Sequence, residues 1–184
     1  MSATLIVILA VVAALVLWGI KVQNQLVQRD ELCNNALKQI NVQQVSRYDA
    51  IKAIVNLTRE YASYESETLE KVIAQRKITS SANPTVEDIN ANEAALQAMS
   101  AKLIAIAEQY PDLKANQNYQ QAMADIKQYE ENVRLSRMTF NDTVTKYNNQ
   151  VRMFPGSVVA GILGFSKREY LADEPAKKDY PDIF

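Results

Sequence analysis

The first twenty residues of this 184-residue chain carry no charged side chain, and Lys21 ends the run. As a helix, residues 3–20 reach about 27 Å at roughly 1.5 Å per residue, close to the hydrocarbon thickness of a bilayer. This length fits a single transmembrane span. The alternative, a cleaved secretory signal, needs a basic leading segment, a shorter apolar core and a small-x-small cleavage site. Met1 and Ser2 supply only the α-amino charge, and Leu17-Trp18-Gly19-Ile20 offers a peptidase little to cut. Residues 1–20 are therefore expected to be an uncleaved anchor. Trp18 and Lys21 suit the headgroup level, where an amphipathic ring and a snorkelling amine are both satisfied. Lys21, Arg29 and Lys38 behind the anchor outweigh the lone α-amino group in front of it, which places the rest of the chain in the cytoplasm.

Beyond the anchor the chain has few chemical tools. Twenty-one acidic and twenty basic side chains leave no surplus positive charge to recruit nucleic acid. One cysteine, Cys33, excludes an internal disulfide and reads as a small core residue. The absence of histidine removes the commonest metal ligand and the commonest general base. None of the four glycines opens a helix after a strand, so no phosphate-binding loop is expected. No cofactor, metal or catalytic residue is assigned, and the chain is read as a non-enzyme.

Its organisation is helical throughout. Gly and Pro are missing between Gly19 and Pro84, and the next breakers are Pro111 and Pro155. In residues 21–81, Cys33, Leu37, Ile40, Tyr48, Ile51, Val55 and Ala62 fall on one face at spacings of three and four. Ser63-Tyr64-Glu65-Ser66 is the weakest stretch, a break after which Leu69, Val72 and Arg76 begin a second stripe. Thr85 with Asp88 three residues on forms a weak capping box. It opens a helix whose seam is Ile89, Leu96, Leu103 and Tyr110, with Met99 and Ile106 interleaved. The last long helix, from Asp112 or Asn116 to Met153, carries Tyr119, Ile126, Val133, Phe140, Tyr147 and Phe154 at every seventh position. Its second row is Met123, Glu130, Arg137, Val144 and Val151; Asn141 lies one position off the seam. A strict seven-residue repeat implies shallow, left-handed packing of helices as in coiled coils.

The expected fold is all-α: a single N-terminal transmembrane helix followed by an up-and-down, antiparallel four-helix bundle over residues 21–154. Residues 155–184 then form an apolar docking segment (Val158, Val159, Ile162, Leu163, Phe165) and a charged tail. The apolar run is too short to cross a bilayer. It docks on the bundle, on a neighbouring copy or on the membrane surface, and Lys167 and Arg168 favour an anionic surface. The tail is expected to be extended or disordered.

Glu130 and Arg137 interrupt an otherwise apolar row, and charges facing a bundle core are expensive unless paired. One reading is a buried polar network in which Arg47 and Arg76 answer Glu130 while Asp49 or Glu65 answers Arg137. In the other, the seam flares and both side chains reach solvent.

Several of these residues fall into a familiar arrangement. Arg47-Tyr48-Asp49, Glu60-Tyr61-Ala62 with Glu65, Leu69-Glu70-Lys71-Val72, Arg76 and Tyr110-Pro111-Asp112-Leu113-Lys114-Ala115-Asn116 resemble the LemA family of bacterial membrane-associated proteins. Glu130, Arg137, Asn141, Tyr147-Asn148, Phe154-Pro155 and Gly164-Phe165 carry the likeness further. The resemblance implies a four-helix bundle behind one transmembrane helix in the bacterial inner membrane, and no established reaction. Its relatives are membrane proteins, one of them associated with magnetosome membranes, with a structural or remodelling part. Two departures matter. Ala50-Ile51-Lys52-Ala53 replaces the family's usual apolar pair followed by Pro-Asn, so the first bundle helix should be straighter. Tyr64-Glu65 stands where a His-Glu pair is common, so no role of that histidine transfers.

The function expected from these readings is a membrane-anchored helical scaffold that self-associates or organises membrane proteins or membrane shape. The competing class is an adaptor or regulatory subunit presenting a client to a membrane protease, kinase or transporter. The expected partners are the lipid bilayer, further copies of the chain and other membrane proteins; no small-molecule substrate is identified.

Overall fold

The computed structural model describes residues 3–61 and 82–172. Among them there is no strand: α1 (Ala3–Tyr61), α2 (Val86–Gln109), α3 (Pro111–Ala115), α4 (Gln117–Arg152) and α5 (Gly156–Leu163) make an all-α protein with a long apolar helix at its N-terminus. The break expected at 63–66, the stripe Leu69, Val72 and Arg76, Ala62 and Glu65 all lie outside the described residues.

α1 is one uninterrupted helix of 59 residues, about 88 Å at 1.5 Å per residue. It continues without a break through 50–53, where no proline interrupts it. Its first part is the one helical stretch among the described residues long and apolar enough to cross a membrane, and none of that stretch is buried against protein. Burial begins at Val22, directly after Lys21, and at Leu26 one turn on, and continues on a single stripe.

Local chemistry sets the other boundaries. Thr85 caps α2 by accepting from Asp88 N–H while the Asp88 carboxylate accepts from Thr85 N–H, a full capping box. Pro111, which lacks an N–H, stands in the first turn of α3, where that donor would have no helical partner. The Asn116 side chain then accepts from the N–H groups of Asn118 and Tyr119 and starts α4.

α4 packs antiparallel to α1. Asn116 Nδ2 donates to Tyr61 Oη at 2.8 Å at one end, Arg29 donates to Lys146 O at 2.7 Å further down, and Gln150 donates to Gln25 at 3.1 Å at the other. α2 runs parallel to α1, since Gln44 meets Ile89 and Arg47 meets Glu93 in the same direction along both helices. The core has two parts. Toward the far end, Tyr48, Ile51, Ile54 and Val55 cluster with Leu96, Met99, Leu103, Leu113, Tyr119 and Ile126. Toward the apolar N-terminal stretch of α1, which would be the membrane end, Leu26, Cys33, Leu37 and Ile40 cluster with Ile89, Val133, Phe140, Val144 and Tyr147.

The seven-residue row of α4 is buried from Tyr119 to Tyr147, and Phe154 breaks it at 83 % exposure. The reason is local: α4 stops at Arg152, and the turn after it swings Phe154 off the helical face. Cys33 is fully buried, and that burial pushes its thiol above the ordinary range. Phe140 is 1 % exposed at the heart of the membrane-proximal cluster. Phe140→Ala is expected to leave a cavity and cost about 3 to 5 kcal/mol, read by chemical denaturation of the detergent-solubilised chain.

Candidate functional site

Between the two apolar clusters lies a polar layer. Gln44 and Arg47 are one turn apart on α1, and Ile89, Glu93 and Gln97 are successive turns on one face of α2. Arg47, 1 % exposed, donates from Nη1 to Glu93 Oε1 at 2.8 Å. Gln44 Nε2 donates to Glu93 Oε2 at 3.1 Å and to Ile89 O at 3.0 Å, and Gln97 adds a longer bond of 3.4 Å to Glu93 Oε1. From α4, Glu130 Oε2 stands 3.7 Å from Arg47 Nη2 with its side chain 45 % exposed. One buried cation thus faces a buried carboxylate and, at the rim, a second one.

Of the expected network, the Arg47–Glu130 contact is present, and its burial and the partner of Arg137 differ from the expectation. Glu130 does approach Arg47, but from the surface; the buried partner is Glu93. The pattern contained a signal for it: Glu93 falls four residues after Ile89 and three before Leu96, on the stripe a helix buries when more than a strict seven-residue seam is covered. Arg137 is buried, yet it does not take Asp49. Asp49 is exposed, and Glu65 and Arg76 lie outside the described residues. Where Arg47 is level with Glu130, antiparallel packing puts Arg137 level with residue 40. Asp49 is nine residues from there, about 13 Å along the axis. Arg137 Nη2 instead donates to Ala172 O at 2.6 Å and to Asn90 Oδ1 at 3.3 Å.

The backbone beyond α5 is no free tail as far as Ala172. Gly164, with φ of 78° in the left-handed region that favours glycine, ends α5, and Phe165 N–H closes back on Ala160 O at 2.9 Å. The extended strap after it is gripped by α4. Tyr147 Oη donates to Ser166 O, Asn148 brackets the N–H and C=O of Arg168, and seven residues earlier Asn141 brackets those of Leu171. Leu171 is 2 % exposed in the membrane-proximal core. Arg168 reaches from the strap to α1, pairing with Asp30 at 2.6 Å and bonding Asn34 at 2.7 Å, with its guanidinium 5.9 Å from the centre of the Tyr147 ring. Burial, then the nearby Asp30 carboxylate, pushes the Tyr147 phenol above its usual range, so it stays a donor to Ser166.

The anticipated docking segment divides. Val159 is buried, and Phe165 packs against the same core; Val158, Ile162 and Leu163 remain exposed. Trp18 and Lys21 are exposed at the boundary where α1 leaves the bundle. The bonds of the layer and strap join α1, α2, α4 and the C-terminal backbone to one another.

Comparison with known proteins agrees with this architecture. The LemA family profile matches residues 36–184. Over 138 residues, the chain is 24 % identical to Protein LemA of Metamycoplasma hominis, covering 75 % of this chain and 63 % of that protein. It is 32 % identical over 75 residues to Magnetosome protein MamQ of Magnetospirillum gryphiswaldense, and 29 % to Magnetosome protein MamQ 2 of Paramagnetospirillum magneticum. Each of these two alignments covers 41 % of this chain and 28 % of the magnetosome protein, so the similarity spans little more than a quarter of those relatives.

Glu93→Ala strands the buried Arg47 cation and is expected to cost about 3 to 5 kcal/mol. Glu130→Ala removes only a rim contact and should cost under about 1 kcal/mol. Equal losses in chemical denaturation would contradict this layer. Asn141→Ala leaves both backbone groups of Leu171 short of partners, with an expected loss of about 1 to 3 kcal/mol and faster proteolysis within the strap.

Proposed function

Since the chain belongs to the LemA family, we propose that it is a non-enzymatic helical scaffold, anchored once in the bacterial inner membrane, that organises further copies of itself or other membrane proteins. The observation that carries this reading is the continuity of α1. The same helix is apolar on every side where it faces no protein and apolar on one stripe where it enters the bundle, with no joint between. A leader removed by a peptidase has no need to continue unbroken into the core it precedes. The bundle is thereby held at a set height above the bilayer, and its buried polar layer fixes helix register, the best-attested use of such groups in bundles. The magnetosome relatives favour a membrane-bound setting. The basic side chains Lys21, Arg29 and Lys38 favour the cytoplasmic side for the bundle.

The test begins with fractionation. The full chain should stay in the pellet after carbonate extraction, and deletion of residues 1–20 should release it. Full extraction of the intact chain overturns the anchor. Topology needs a reporter other than the native thiol, because Cys33 is fully buried and its burial favours the unreactive protonated form. Glu31, exposed two residues earlier, is a suitable site. Glu31→Cys in a Cys33→Ala background should resist an impermeant maleimide in spheroplasts and react once they are lysed. The purified chain should remain oligomeric on dilution in detergent; a monomer that cross-links in cells to one distinct protein would favour an adaptor instead.

A further inference from the structure

α5 is an eight-residue helix with two unlike sides. Gly156, Val159 and Ala160 are buried, and the latter two share one apolar cluster with Val22 and Leu26 of α1. The approach is close: a Cβ on Gly156 would stand 2.5 Å from the Gln150 carbonyl oxygen, so glycine lets α5 lie back on the end of α4. The other side is apolar and uncovered. Phe154 is 83 % exposed, Val158 50 % and Ile162 79 %, at intervals of four residues, with Met153 beside them at 62 %. A surface of this kind on a small domain marks a contact.

Its position says with what. Gln150 is bonded to Gln25, which lies five residues beyond Ile20, about 7.5 Å along α1. α4 continues toward the membrane end as far as Arg152, which brings Met153 and Phe154 level with Lys21 and Val22. That is where the unburied apolar stretch of α1 ends. The turn that opens the exposed face of α5 thus stands level with the end of the uncovered apolar stretch of α1. Charge agrees as well. From Thr143 to Arg168 there is no acidic residue, while Arg152 and Lys167 flank α5 and are both exposed. An apolar face rimmed by basic side chains suits the interface of an anionic leaflet.

We propose that α5 and the turn before it form a second membrane contact, with Phe154, Val158 and Ile162 seated at the boundary of headgroups and acyl chains in the leaflet from which α1 emerges. The contact rests on the reading of α1 as a membrane span. Eight residues are too few to fold on a bilayer alone, but here the bundle has already ordered them. Two attachments instead of one orient the bundle against the membrane rather than leaving it to pivot on α1.

The test uses the full chain with Cys33→Ala, carrying one nitroxide-labelled cysteine at a time, in vesicles of phosphatidylcholine and phosphatidylglycerol. Val11→Cys reports the anchor, Ile162→Cys the α5 face, and Lys102→Cys an exposed site on α2. Power saturation with oxygen and with a water-soluble nickel chelate is expected to give Ile162 a several-fold higher oxygen-to-nickel ratio than Lys102, at a shallower depth than Val11. Phe154→Cys, equally outward, should repeat the Ile162 result. A nickel-accessible Ile162 beside an oxygen-favouring Val11 overturns the α5 contact and leaves the anchor standing. A nickel-accessible Val11 overturns both. An Ile162 label shielded from both reagents means that protein covers the face, and also overturns the proposal.

Discussion

Everything in this protein hangs on the antiparallel contact between α1 and α4. It is tied at the far end by Asn116 to Tyr61 and at the membrane end by Gln150 to Gln25, with an apolar seam between. Neither helix is stable by propensity alone over such a length; each is held by the stripe it buries on the other. Because the two run in opposite directions, every level on α4 has a set counterpart on α1. The strap, the polar layer and the turn into α5 all inherit their positions from that correspondence.

The polar layer shows what the register must satisfy. Arg47 carries a charge into a place where water does not compensate it, so only an arrangement that brings Glu93 within hydrogen-bonding distance is tolerable. A slide of one turn between α1 and α2 would leave both charges buried and apart. The layer sits between two apolar clusters that are chemically similar, and in its absence those clusters would offer little to choose between neighbouring registers. This is specificity more than stability.

At the membrane end the strap and α5 close the structure differently. Asn141 and Asn148, seven residues apart on α4, present amide groups in the same direction, and each serves both the donor and the acceptor of one strap residue. Leu171 is thereby inserted into the core, and Arg168 is brought across to Asp30 on α1. The strap binds α1 and α4 to one another from outside, while α5 is left with Val158, Ile162 and Leu163 exposed near the apolar part of α1.

The all-α architecture, the long apolar N-terminal helix, the capping box at Thr85, the start of α4 at Asn116 as one of two candidate residues, and the buried row from Tyr119 to Tyr147 were all legible in the sequence. Each depends on residues within a few turns of one another, so periodicity and cap chemistry suffice. The partners of the charged residues were not. Whether Arg47 meets Glu93 or Glu130, and whether Arg137 meets a carboxylate or the carbonyl of Ala172, depends on which helices lie at the same height, a relation between segments tens of residues apart. The same is true of the C-terminal strap: its polar composition suits a free tail, and the facing amides of Asn141 and Asn148, with Tyr147, Arg137 and the Arg168–Asp30 pair, decide that it is bound. Local pattern determined what each helix had to bury; the packing of α1, α2, α4 and the strap on one another decided what each buried polar group would find there.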